Sequence, residues 1–187
     1  YTTLLNLDTE DDDELSIGCA GGIDTNTSYT CESIATPDNY SFIQINIKGL
    51  LGGHSGMDID SGRGNANKWM ARILWNISKK SNLLIGSLDG GGLRNAIPRE
   101  AKSIIAVPSA ELKNVQTELE EQAKVLHGEY KTIEPNIQIT FSATESMLEV
   151  ISEKDTNKIL NTLCCVHNGV FRMSPDIAGL VETSSSL

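Results

Sequence analysis

A single histidine stands among six glycines in GLLGGHSGMDIDSGRGNAN, residues 49–67. An imidazole changes charge near neutral pH, so His54 can carry a proton or donate to a developing oxyanion. Glycine weakens helices and strands by roughly 0.5–1 kcal/mol relative to alanine. Its cluster here would let the backbone approach a ligand and project the imidazole from a loop. Read structurally, the same histidine caps its loop by bonding to nearby backbone. Asn95, shortly before Ile97-Pro98, has two readings as well: a turn residue, or an amide that holds the polar backbone of a substrate. Asp8 closes an apolar run and heads the acidic stretch TEDDDE. It is either a solvated acid or a metal ligand at a strand end, and one carboxylate cannot hold zinc, which needs three or four ligands.

Several other patterns carry no chemistry. GRGNAN fails the dinucleotide fingerprint because Asn67 stands where the last glycine belongs. A calcium loop starting at Asp8 puts Asp13 at the glycine position and Cys19 at the glutamate position, and one starting at Asp58 fails at Arg63. No H-E-x-x-H or G-x-S-x-G occurs. Cys19, Cys31, Cys164 and Cys165 form no C-x-x-C pair, which fits reduced thiols. Asn26, Asn39 and Asn76 begin N-x-S/T triplets that are taken as chance without a secretory signal. The formal net charge of -10 argues against nucleic acid and against an anionic membrane surface. No apolar run approaches the roughly 20 residues that cross a bilayer. The start YTTLLNLDTEDDDEL has neither a basic region nor a methionine, so the chain is expected to belong to something longer.

The elements that must position these residues follow from periodicity. Short strands are expected over residues 2–8 and 15–22, then loop or irregular strand over 24–39. Ile43, Ile45 and Ile47 alternate with Gln44, Asn46 and Lys48, the period of a half-buried strand. Ala66, Met70, Ile73, Leu74 and Ile77 recur at helical spacing, with Lys79 and Lys80 at the end that favours cations. Strands are expected over 82–88 and 101–107, with the proline of LRNAIPRE at an edge or a strand start. Ser109 is the expected N-cap of a second helix with the stripe Leu112, Val115, Leu119, Ala123 and Leu126, stopped by Gly128. A strand over 136–142 and a helix from Asp155 to Asn168-Gly169 follow, and the tail over 179–187 is a last strand. Strand, helix, strand, strand, helix, strand over residues 40–142 is the split βαβ order of a ferredoxin-like two-layer α+β sandwich, here with an extra helix and flanking strands. The uncovered face must meet solvent, a partner or the remaining segments. This fold hosts many functions.

Taken together, LLNLDTEDDDELSIGCAGGID, KGLLGGHSGMDIDSGRGNANK, LRNAIPREA and NGVFRMSPDIAGLVETSSSL closely resemble the aminoacyl-histidine dipeptidases, dinuclear-zinc metallopeptidases of the peptidase D type related to carnosinase. The resemblance runs in order along nearly the whole chain. It implies that residues 1–21 are the edge of a zinc catalytic domain and that residues 22–187 are a lid and dimerisation domain, incomplete at its C-terminal end. By the same resemblance Asp8 is a metal ligand, His54 polarises the scissile carbonyl and Asn95 binds substrate. The implied cofactor is two zinc ions in the intact enzyme, with none bound by this chain alone. The implied partners are a dipeptide substrate, such as an aminoacyl-histidine dipeptide, and a second copy in a cytoplasmic homodimer.

The family's histidine-x-aspartate pair, bridging aspartate, paired glutamates and late histidine are absent from these residues, so this chain alone is expected to be inactive. Two other readings stay open: a stand-alone dimerisation module, and an amidohydrolase of the same family acting on N-acyl amino acids.

Overall fold

Alternate residues of a strand face opposite sides of its sheet, and strand β2 (Tyr40–Lys48) feeds two cores in this way. Ile43, Ile45 and Ile47 are buried against helices α1 (Ala66–Ser78) and α2 (Leu112–Tyr130). Phe42, on the other face, packs with Leu84, Ala106 and Val150. The structure is a computed structural model that describes Asp13 and residues 20–187. Asp8 and the strand expected over 2–8 lie outside the described residues, as does most of the strand expected over 15–22.

The remaining elements are β1 (Ser33–Ala35), β3 (Leu84–Gly90), β4 (Ala101–Pro108), β5 (Gln138–Ala143), β6 (Glu149–Ile151), α3 (Glu153–Cys165), β7 (Gly169–Met173) and β8 (Val181–Ser185). The four-stranded sheet runs β3-β4-β2-β5 with every neighbour antiparallel. Two strand–helix–strand units interleave to give that order, which is the split βαβ arrangement expected from the sequence. Ala66, Met70, Ile73, Leu74 and Ile77 form the buried stripe of α1, joined by Trp69. A large aliphatic side chain buried this way stabilises the fold by roughly 1.5–3 kcal/mol. One end of the second face is covered by the chain itself: β1 pairs with β6, and this ribbon brings Val150 and Ile34 over Phe42 and Leu84, while Lys48, Lys102, Gln138, Thr140 and Ser142 on the same face stay exposed.

Four ends of α2 and α3 differ from the sequence expectation. Ser109 opens a short 3-10 turn, Ser109–Glu111, and its hydroxyl lies 2.7 Å from that of Ser41, so it does not cap α2. Gly128 lies inside α2, which continues to Tyr130. The interior glycine costs about 1 kcal/mol relative to alanine, and packing of Leu126 and Tyr130 against the core outweighs it. Helix α3 starts at Glu153, capped by the Ser152 hydroxyl, and stops at Cys165, short of the expected Asn168-Gly169. Lys68 of α1 donates its ammonium to the carbonyls of Leu163, Cys164 and Val166, which satisfies that helix end early. Residues 169–173 are thereby freed to form β7, which pairs with β8 in a hairpin where one strand was expected.

Candidate active site

The glycine-rich stretch has no regular structure between β2 and α1, so polar contacts rather than a ladder must hold it. Asp58 and Arg63 do most of this inside the loop. The Asp58 carboxylate accepts the His54 main-chain N–H (2.8 Å) and pairs with the Arg63 guanidinium (2.9 Å). Arg63 also donates to the Gly52 carbonyl (2.7 Å). Gly53 sits at φ +136, and a Cβ there would overlap Arg63 and lie 2.5 Å from Asp58 Oδ2. The space this glycine leaves is therefore filled by the loop's own ion pair. Gly64 leaves room for the Trp69 ring in the same way. Both ends of the loop reach Glu134, whose carboxylate accepts the N–H groups of Leu51 and Gly64, each at 2.8 Å.

His54 is exposed, and its orientation is set locally. Nδ1 accepts main-chain N–H groups from Gly56 (3.1 Å) and Met57 (3.2 Å). A nitrogen that accepts two such bonds carries no proton, so the neutral ring holds its hydrogen on Nε2. Nε2 has no hydrogen-bond partner among the described residues. The structural reading of His54 thus holds for one ring nitrogen and leaves the other as a free donor.

The loop is joined to LRNAIPRE by an isolated antiparallel bridge between His54 and Ala96. Ser55 N–H donates to the Asn95 carbonyl and Ile97 N–H to that of Gly53, both at 2.8 Å. The proline segment is accordingly neither a strand start nor a sheet edge; it is a loop docked on the histidine loop. This docking places His54 and Asn95, 41 positions apart in sequence, on one open groove of about 640 Å³, with Leu51, Leu93, Arg99 and Glu100 also on its walls. Asn95 is exposed and its amide is uncommitted among the described residues. Such a groove can take a short polar chain, offering an imidazole N–H and an amide to its carbonyl and N–H groups.

Asp8 lies outside the described residues. Among those described, no group of three or more His, Cys, Asp or Glu side chains could hold a metal ion. Sequence reasoning missed Arg63 and Glu134, and it weighed Asp58 only as a calcium-loop position. Their roles depend on contacts across 11 and 70 or more positions, and no local pattern announces them.

Residues 45–134 match the protein family described as a peptidase dimerisation domain. The chain is similar to the cytosol non-specific dipeptidase of Escherichia coli, with 34% identity over 181 residues, 97% of this chain and 37% of that protein. Its structure is similar to that of an aminoacylhistidine dipeptidase from Vibrio alginolyticus, with a TM-score of 0.81 and 35% identity over 83% of this chain and 32% of that one. The chain therefore spans just over a third of the length of the curated relative it matches.

Proposed function

We propose that residues 22–187 are the lid and dimerisation region of a metal-dependent dipeptidase, a reading supported by the match of residues 45–134 to the family described as a peptidase dimerisation domain. Residues 1–21 are, on this reading, the edge of its catalytic domain. The substrates are short peptides such as aminoacyl-histidine dipeptides, and the working form is a cytoplasmic homodimer. The names of the two similar proteins support the substrate class and the location.

His54 acts by donating its Nε2 hydrogen to the oxygen of the scissile carbonyl, where charge grows as the tetrahedral intermediate forms. An N–H fixed beforehand costs no reorganisation at that moment, which is the source of oxyanion-hole catalysis. The observation that carries this reading is the pair of backbone bonds to Nδ1, which fixes both the tautomer and the direction of the ring. Asn95 holds the substrate's main chain beside it. Closure of the lid over the catalytic domain excludes water and strengthens both contacts.

The described residues do not form a metal site. The two zinc ions of this reading, with Asp8 as one ligand, would be held chiefly by other residues. When bound they supply the activated water of a metallopeptidase.

The test is His54→Ala in the intact enzyme. Loss of one oxyanion donor lowers kcat by about 10²-fold or more. Turnover of a dipeptide at the wild-type rate would overturn the assignment.

A further inference from the structure

Glu134 is fully buried, at 0% exposure, and has no cation partner among the described residues. A buried carboxylate is costly unless its oxygens are satisfied. Here each oxygen takes one main-chain N–H, from Leu51 and from Gly64. Leu51 stands three residues after β2 and Gly64 two residues before α1, near the two ends of the histidine loop. The carboxylate thus draws together the two ends of a segment that has no ladder of its own.

The clamp is itself anchored. The Glu134 N–H donates to the Tyr130 carbonyl at the end of α2 (2.7 Å). The Tyr130 ring packs on Trp69 of α1, with centroids 4.5 Å apart. Gly64 in turn lies against that Trp69 ring. Both helices therefore hold Glu134, and Glu134 holds the loop that carries His54 and, through the bridge to Ala96, touches Asn95.

We infer that Glu134 is a positioning residue for His54: it touches no substrate and fixes the loop from which the imidazole donates. This rests on the reading of His54 given above. The carboxylate suits the task because it is acceptor-only at both oxygens. Glutamine at this position offers one carbonyl oxygen to one N–H and turns an amide donor toward the other.

The experiment compares Glu134→Gln and Glu134→Asp with wild type in the intact enzyme. Dipeptide kinetics, hydrogen–deuterium exchange over residues 49–66, light scattering and thermal unfolding are measured on each. Misplacement of a catalytic donor by about 1 Å costs up to about 10²-fold. E134Q is therefore expected to lower kcat by roughly 10-fold or more, with KM changed less than about twofold, the pattern of an interaction felt only in the transition state. Faster exchange over residues 49–66 is expected alongside, in a particle of unchanged mass. Aspartate keeps the charge but reaches only one N–H, so E134D falls between, and it decides the same readouts if E134Q does not fold. Lower thermal stability with unchanged kcat and unchanged exchange at 49–66 would make the role purely structural and overturn the inference. His54→Ala run in parallel separates the two claims. Full turnover in that variant overturns the reading of His54, whereas exchange at 49–66 in the Glu134 variants tests the clamp independently.

Discussion

The sheet with its helices and the loop at residues 49–65 are held together by different physics. In the first, Ile45, Ile47, Met70, Leu74, Ile105 and Leu119 are all fully buried, and many small apolar contacts share the stabilisation. In the second, individual polar contacts do much of the holding: Asp58, Arg63, Glu134 and the His54 ring each bond main-chain atoms, beside the backbone bridge to residues 95–97. A core of the first kind tolerates the loss of any one contact at a graded cost. A loop of the second kind depends more on single bonds, each of which sets the direction of a few main-chain atoms. Chemistry placed on such a loop is aimed by few residues.

The contrast can be broken from either side. Leu74→Ala leaves a cavity under the sheet and is expected to cost about 2–5 kcal/mol in urea unfolding; a loss below about 1 kcal/mol would mean the helix face is not the main source of stability. Gly53→Ala attacks the loop. Its φ of +136 and the nearness of Asp58 Oδ2 force the Arg63–Asp58 pair aside. Strain of this kind costs about 1–3 kcal/mol, less than the core cavity, yet turnover of the intact enzyme is expected to fall by about 10-fold or more. Equal turnover in Gly53→Ala and wild type would show that the loop is not sharply held.

The smallest effect sharpens the comparison at a third place. Asp155 at the start of α3 is a second buried carboxylate, held by one main-chain N–H, a tyrosine hydroxyl and Lys158 rather than by two main-chain N–H groups. Its carboxyl is held below the usual carboxylate range first by the Glu32 main-chain N–H, then by the Tyr29 hydroxyl, with Lys158 adding to the effect and burial opposing it. A depressed value in the folded state stabilises the fold above the unfolded value, near about 3.9, and that stabilisation is lost as pH falls through the folded value. The stability difference between wild type and Asp155→Asn is expected to be present at pH 7 and to shrink in urea titrations run below about pH 4. A difference that stays constant down the acid range would remove ionised Asp155 as its cause.

Much of the fold was legible because it rests on periodicity. The isoleucines of β2 and the stripe of α1 announce both their elements and their buried faces, and the order of elements over residues 40–142 is enough to give the sheet topology. Helix ends were less legible. Gly128 reads as a stop and Ser109 as a cap, yet α2 ignores both, while Lys68, 95 positions before Leu163, ends α3 early. The β1–β6 ribbon was not visible either, because three-residue strands carry too little pattern. At the site, the glycine cluster and the NAIP turn marked His54 and Asn95. That the two share a groove follows from the bridge between residues 54 and 96, and that Glu134 holds the loop follows from contacts reaching back 70 and 83 positions. No spacing rule predicts such contacts.

The most direct measurement is a crystal structure of the intact enzyme with a phosphinic dipeptide analogue, whose tetrahedral P–O oxygen occupies the place of the oxyanion. With the lid closed, His54 Nε2 is expected within about 2.7–3.1 Å of that oxygen, with Nδ1 still accepting from Gly56 and Met57. A ring turned back into its own loop, or an analogue bound with that oxygen out of reach of Nε2, would contradict the role given to His54.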